Sequence, residues 1–246
     1  PPSCHGSRHA QAFDGRSHRT RHETLAAKRD TLPPAPRTRC DDVRVPETAD
    51  GVAAVRDAPR AARDEAELLA LYTEGHRNFS GNQLSGADLR DANLTEVQLD
   101  RAQLGGADLT GATLIEASLD QVRLTRAVLR SAKLWAANLS SANLVGADLS
   151  GASLVSASLK SADARDARMN GSNLSGANLF KATLIGAQLV GADLGRANLP
   201  GANLSGALAM EGDFTSARAW QANFSDADLR NARFGGASLI GARLDR

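Results

Sequence analysis

Large apolar residues recur at every fifth position from Phe79 to Leu244, and the register never slips. The column is Leu throughout except at Ala164, Met169, Ala209, Phe214, Ala219, Phe224 and Phe234, with Phe79 opening it. Two places earlier in each unit stands Ala, from Ala87 to Ala242, replaced by Val97, Val122, Ser172, Gly212 and a few edge positions. A period of five fits neither the 3.6 of an α-helix nor the 2.0 of a strand, so each unit has to hold a short extended piece and a corner. Ala and Leu then point inward, Ala letting the walls approach and Leu filling the axis, while the other three positions of each unit face water.

Stretches such as Ser85 to Leu94 (SGADLRDANL), Val145 to Leu154 and Ile185 to Leu204 carry the unit Ala-(Asp/Asn)-Leu-x-(Gly/x) in phase. In these residues the chain resembles the pentapeptide-repeat family, over roughly its last 170 residues. The resemblance implies an all-β fold, a right-handed quadrilateral parallel β-helix with four units to a coil, over residues 77–246. Coils stacked at the usual strand spacing give a rod roughly 40 Å long in which each coil touches mainly its neighbours. In the Leu column a small residue is offset by a large one nearby, Ala164 by Met169 and Ala209 by Phe214, as close packing requires. No enclosed ligand cavity is expected.

Upstream of the repeats the pattern changes. Residues Asp57 to Tyr72 read as a helix with Ala61, Ala62, Leu68, Leu69 and Leu71 on one side, Glu65, Glu67 and Arg63 on the other, and Gly75 as a stop. Within residues 53–76 this helix is expected to cap the first coil, whose core and backbone edge would otherwise be open. Residues 1–52 carry four of the five His, many Arg and several Pro, and are expected to be a disordered or non-native tail. Cys4, His5, His9, His18 and His22 lie there in no fixed zinc spacing, so neither a metal site nor any other cofactor is expected.

Composition narrows the function. After Cys40 there is no Cys, after Tyr72 no Tyr and after His76 no His, so the repeats lack nucleophile and base pairs and a non-enzymatic role follows. No apolar run of membrane-spanning length and no leader pattern is seen, which makes a cytoplasmic location the default and a membrane role unexpected. The formal net charge is +1, and residues 77–246 hold 17 Lys and Arg against 16 Asp and Glu, so a nucleic-acid partner is not expected either. Some family members resemble a rod of B-form DNA, bind DNA gyrase and protect it from quinolones. That alternative needs a strongly negative surface, which this near-neutral balance does not supply.

Three outer features stand above the pattern. Residues one coil apart share a wall, so Phe180, Pro200, Trp220 and Ile240 form one exposed apolar column, with Val190 and Met210 near the same end. Ile115, Trp135 and Val155 form a second column, and Arg123, Arg126, Arg130 and Lys133 form a basic band in a coil without acidic residues. Trp and Phe gathered on a surface otherwise poor in aromatic residues point to contact with protein. The expected function is therefore a protein-binding or structural scaffold, with a homodimer formed through the C-terminal coils and a further protein partner whose identity the repeats do not carry.

Overall fold

In a computed structural model the described residues are 59–245, all within one compact unit. The tail 1–52, its Cys and His cluster and the first residues of the expected helix lie outside them. From Asn78 to Arg243 the chain makes a turn every five residues, and single parallel bridges join residues twenty apart, Asn78 to Gln98, Gln83 to Gln103, Asp88 to Asp108 and onward to Asn223 with Arg243. A coil is thus four units, and its strands are only as long as one bridge. The reason is in the unit itself: Ala, the bridging residue and Leu run extended, and the next two residues turn.

The second turn residue takes a positive φ at every corner, whether or not it is Gly. At Gly111 a Cβ would lie 2.1 Å from the Asp91 carboxylate one coil away, so a larger residue there requires that side chain to swing aside. Leu and Ala columns are buried throughout the interior coils, with Leu99, Leu134, Leu144 and Leu184 wholly enclosed. Ala164 and Met169 are both buried, and Ser172 in the Ala column satisfies its hydroxyl on the Met169 carbonyl at 2.8 Å. Towards the C-terminal end the axis becomes aromatic. Phe214 and Phe234, one coil apart, stack at 4.8 Å, and Phe224 meets them edge-on at 5.8 and 6.1 Å. Gly212 makes room for this, because a Cβ there would stand 3.1 Å from the Phe214 ring and 3.0 Å from the Ala209 carbonyl.

Before the repeats lies one helix, α1, Glu65–Thr73. It starts later than the sequence pattern suggests. Arg60 and Ala62 are drawn instead onto the first coil: the Arg60 N–H donates to Asn78 O at 2.8 Å, and the Asn82 amide accepts from Ala62 N–H and donates to Arg60 O, both at 2.6 Å. Asp64 then caps α1, accepting from Glu67 N–H at 2.9 Å. The helix ends where Gly75 suggested. Gly75 has φ +97°, and the bonds Gly75 N to Tyr72 O and His76 N to Leu71 O, both 3.0 Å, close a Schellman motif. Leu68 is fully buried in the same core as Phe79, with Leu69, Leu71 and Tyr72 packed against it.

Candidate partner-binding surface

The first turn residue of each unit projects from a corner, and the twenty-residue register stacks such residues in columns. Phe180, Pro200, Trp220 and Ile240 occupy one corner in four successive coils, fixed by the ladder Lys181 N to Pro200 O, Gly201 N to Trp220 O and Gln221 N to Ile240 O at 2.9 to 3.0 Å. Trp220 is 48% exposed and Ile240 74%. The Trp220 indole N–H donates to the Ser238 hydroxyl at 2.6 Å, which lays the ring across the next coil instead of letting it swing in water. Pro200, Trp220, Gln221, Ile240 and Gly241 line a shallow depression of about 460 Å³. Lys181 stands over the Phe180 ring at 5.3 Å, an attraction between cation and aromatic face.

Ile115, Trp135 and Val155 stack in the same way on the neighbouring corner, in register with the bridges Thr113 to Lys133 and Lys133 to Ser153. Trp135 is 51% exposed, and its N–H donates to the Ser153 hydroxyl. Both tryptophans obey one rule: a first turn residue reaches the bridging residue eighteen places on. Arg130 with Asp148 and Thr125 with Asn143 do the same. The seats Ser153 and Ser238 were missed in the sequence, where that offset is present but gives no hydrophobic signal.

Val190 and Met210 do not join the Phe180 column. Each stands ten residues, half a coil, from its nearest members, and so occupies the opposite corner, where the Arg230 guanidinium reaches the Met210 sulfur at 3.1 Å. Their sequence proximity to Pro200 and Trp220 is thus not spatial. Leu208, 42% exposed on the wall leading to that corner, belongs with them.

The basic band is likewise spread out. Arg123 and Lys133 are bridging residues ten positions apart, on opposite walls, with Arg126 and Arg130 at corners between them. Arg130 is also spoken for, its Nε donating to the Asp148 carboxylate at 2.6 Å, while Arg168 stands 3.7 Å from the same group. Burial of Asp148 opposes its charged form, but hydrogen bonds from Ser150 and Arg130 outweigh that and hold its carboxyl below the usual range. Asp88, hydrogen-bonded by the Arg90 side chain and backbone, is lowered further, to about 2. These acids are charged acceptors in ion pairs and turns. Among the described residues no group of three His, Cys, Asp or Glu is placed to hold a metal, and no helix is long and apolar enough to cross a membrane.

A family profile described as pentapeptide repeats (8 copies) matches residues 78–111, 107–144, 136–171, 177–208 and 213–246. The chain belongs to the pentapeptide-repeat family. HetL, a pentapeptide repeat protein of the cyanobacterium Nostoc involved in heterocyst differentiation regulation, is similar over 74% of this chain and 97% of its own, at 32% identity and a TM-score of 0.50. A trypsin-treated form of QnrB1, a plasmid-mediated fluoroquinolone resistance protein, is 21% identical over 68% of this chain and 90% of its own, with a TM-score of 0.40. A pentapeptide repeat protein of the Arabidopsis thaliana thylakoid lumen is 31% identical over 41% of this chain and 63% of its own, with a TM-score of 0.21. No curated protein matches the sequence. In this pentapeptide-repeat chain the repeats form one structural unit with the turn residues at its corners.

Proposed function

We propose that this pentapeptide-repeat protein is a non-enzymatic, protein-binding scaffold: a right-handed, four-sided β-helix, closed at its N-terminal end by α1, that acts through the Phe180, Pro200, Trp220 and Ile240 corner. The observation that carries this reading is the corner itself. Large apolar side chains occupy it in four consecutive coils, and Trp220 is held in place before any partner arrives.

The partner that fits it is a second copy. A two-fold axis between Pro200 and Trp220 sets Phe180 against Ile240 and Pro200 against Trp220, so the column is complementary to itself, and pairing of this kind closes as a dimer. Val190 and Met210, on the opposite corner, remain free for a different protein. HetL is described as involved in heterocyst differentiation regulation, which is compatible with a binding role. Light scattering on the intact chain at tens of micromolar is expected to give twice the monomer mass. The double substitution Trp220→Glu, Ile240→Glu is expected to return it to monomer with unchanged circular dichroism. A wild-type monomer at that concentration rejects the second copy as occupant, and capture of another protein that ignores the double substitution rejects the corner.

A further inference from the structure

One side of the rod carries its charge unevenly. It consists of the wall that bridges Asn138 to Ser158, Asn178 and Asn198, together with the corner along each edge of that wall. From Trp135 to Gly241 this side holds Lys160, Lys181, Arg196 and Arg218 and no Asp or Glu, while the coils before it carry Glu96, Asp100, Glu116 and Asp120 against Arg101 alone. All four cations are exposed. None of them forms an ion pair among the described residues, whereas Arg90, Arg130, Arg165, Arg230 and Arg233, on other sides, each hold an Asp. The near-neutral total conceals this side, because the acids that balance it stand on other walls.

The polar residues between the cations already satisfy one another. Asn138 accepts from the Ser140 N–H and hydroxyl at 3.1 and 2.6 Å, the Ser140 and Ser158 hydroxyls meet at 2.9 Å, and the Asn198 amide donates to Asn178 Oδ1 at 3.0 Å. A partner that offers no specific hydrogen bonds therefore strands none of them. Along one edge run Phe180, Pro200, Trp220 and Ile240, and the bond from Trp220 to Ser238 lays the indole on this side. Pro200 and Ile240 have no aromatic face, so stacking of nucleic-acid bases does not account for the column. Nor is the wall a groove. Its bridges follow one straight register and make a flat strip, roughly 25 Å long at the usual strand spacing.

We propose that this side is a peripheral membrane-binding face, on which the four cations attract acidic phospholipid headgroups while Phe180, Trp220 and Ile240 enter the interface. A bilayer surface is flat, is negative where its lipids are acidic, and demands no fixed hydrogen-bond pattern. Trp settles at the headgroup level, and attachment there draws on buried apolar area and electrostatic attraction together. The acidic coils up to Asp120 are repelled, so the rod meets the surface by the coils that follow. The inference does not rest on the lateral dimer. Both use the Phe180 to Ile240 corner, but Lys160 stands one coil before those residues and Arg196 at the far edge of the wall.

The test is sedimentation of the intact chain with vesicles of phosphatidylcholine, alone or mixed with phosphatidylglycerol, at about 0.1 M salt, where fields fade within about 10 Å. Binding to the acidic vesicles is expected to exceed binding to the neutral ones by about tenfold or more, to weaken as salt is raised, and to shift tryptophan emission to the blue. Lys160→Glu with Arg196→Glu is expected to lower it about tenfold or more and to leave the light-scattering mass unchanged. Arg123→Glu with Arg126→Glu, the same change of charge on another side, is expected to lower it only about twofold. Trp220→Ser is expected to remove part of the blue shift. No binding, equal binding to both vesicles, or equal losses from the two charge pairs overturns the proposal. So does a single-stranded oligonucleotide that binds more tightly than the acidic vesicles and is lost in the Lys160→Glu, Arg196→Glu variant. A chain that dimerises but ignores vesicles sinks this inference and spares the dimer, and a monomer that binds them does the reverse.

Discussion

The first and last described coils are built from the same unit and differ in which described residues pack over them. In the first coil Leu84, Leu89 and Leu94 are at most 3% exposed, because α1 and the segment leading into it lie over them. In the last, Leu229, Phe234 and Leu239 are only partly buried and Leu244 is 53% exposed. Side chain and position in the unit are the same, so burial in a stacked repeat is a property of the neighbouring layer and not of the residue. A solenoid accordingly has no single core strength, and the energetic weight of any Leu follows its distance from an uncovered edge.

The strongest break of that comparison is a charge in the column. Leu144→Asp, with no exposure at all, is expected to cost about 4 kcal/mol or to prevent folding, whereas Leu244→Asp is expected to stay within about 0.5 kcal/mol of wild type. Chemical denaturation followed by circular dichroism measures both, and equal losses would refute the layer argument. Next comes the cap: Leu68→Ala is expected to cost about 2 to 3 kcal/mol and Leu239→Ala about 1 kcal/mol, the first also raising hydrogen exchange at Phe79 and Leu84.

A smaller contrast lies in the Ala column. Gly212→Ala presses a methyl group on the Phe214 ring and the Ala209 carbonyl and is expected to cost about 1 to 2 kcal/mol, while Ser172→Ala, where a side chain already fits, is expected to be close to neutral. The smallest effect depends on pH. The Asp148 carboxyl lies below its ordinary value, so its stabilising share is fully present above the usual Asp range near pH 4 and is lost as pH falls through the lowered value. Melting temperature is expected to drop as pH falls below about 4, and Asp148→Asn to flatten part of that slope.

The inward columns were legible because a side chain that is Leu or Ala at every fifth position can only be a wall. What escaped the sequence was the contacts that the outer residues make. Ser150 reads as an outer, exchangeable residue, yet its hydroxyl donates to Asp148 at 2.6 Å, so a carboxylate there would repel the one it now serves. Val190 and Met210 looked adjacent to the Trp220 column because they are close along the chain, and half a coil separates them. The helix start was misplaced for a similar reason: apolar periodicity could not reveal that Arg60 and Ala62 have hydrogen bonds waiting on the first coil.

The corner positions are also where this molecule can change most cheaply over generations. A corner side chain projects outward while its own coil stays closed by Ala and Leu, so replacing Pro200 or Trp220 rewrites the display without touching what encloses it. Duplicating twenty residues would insert a whole layer, lengthen each column by one step and keep every downstream residue on its own corner. Duplicating five would rotate all that follows by a quarter turn and scatter the Phe180 to Ile240 column over different corners. Lineages of such proteins should therefore grow and shrink by full coils within a recognition column, and tolerate single units only outside one.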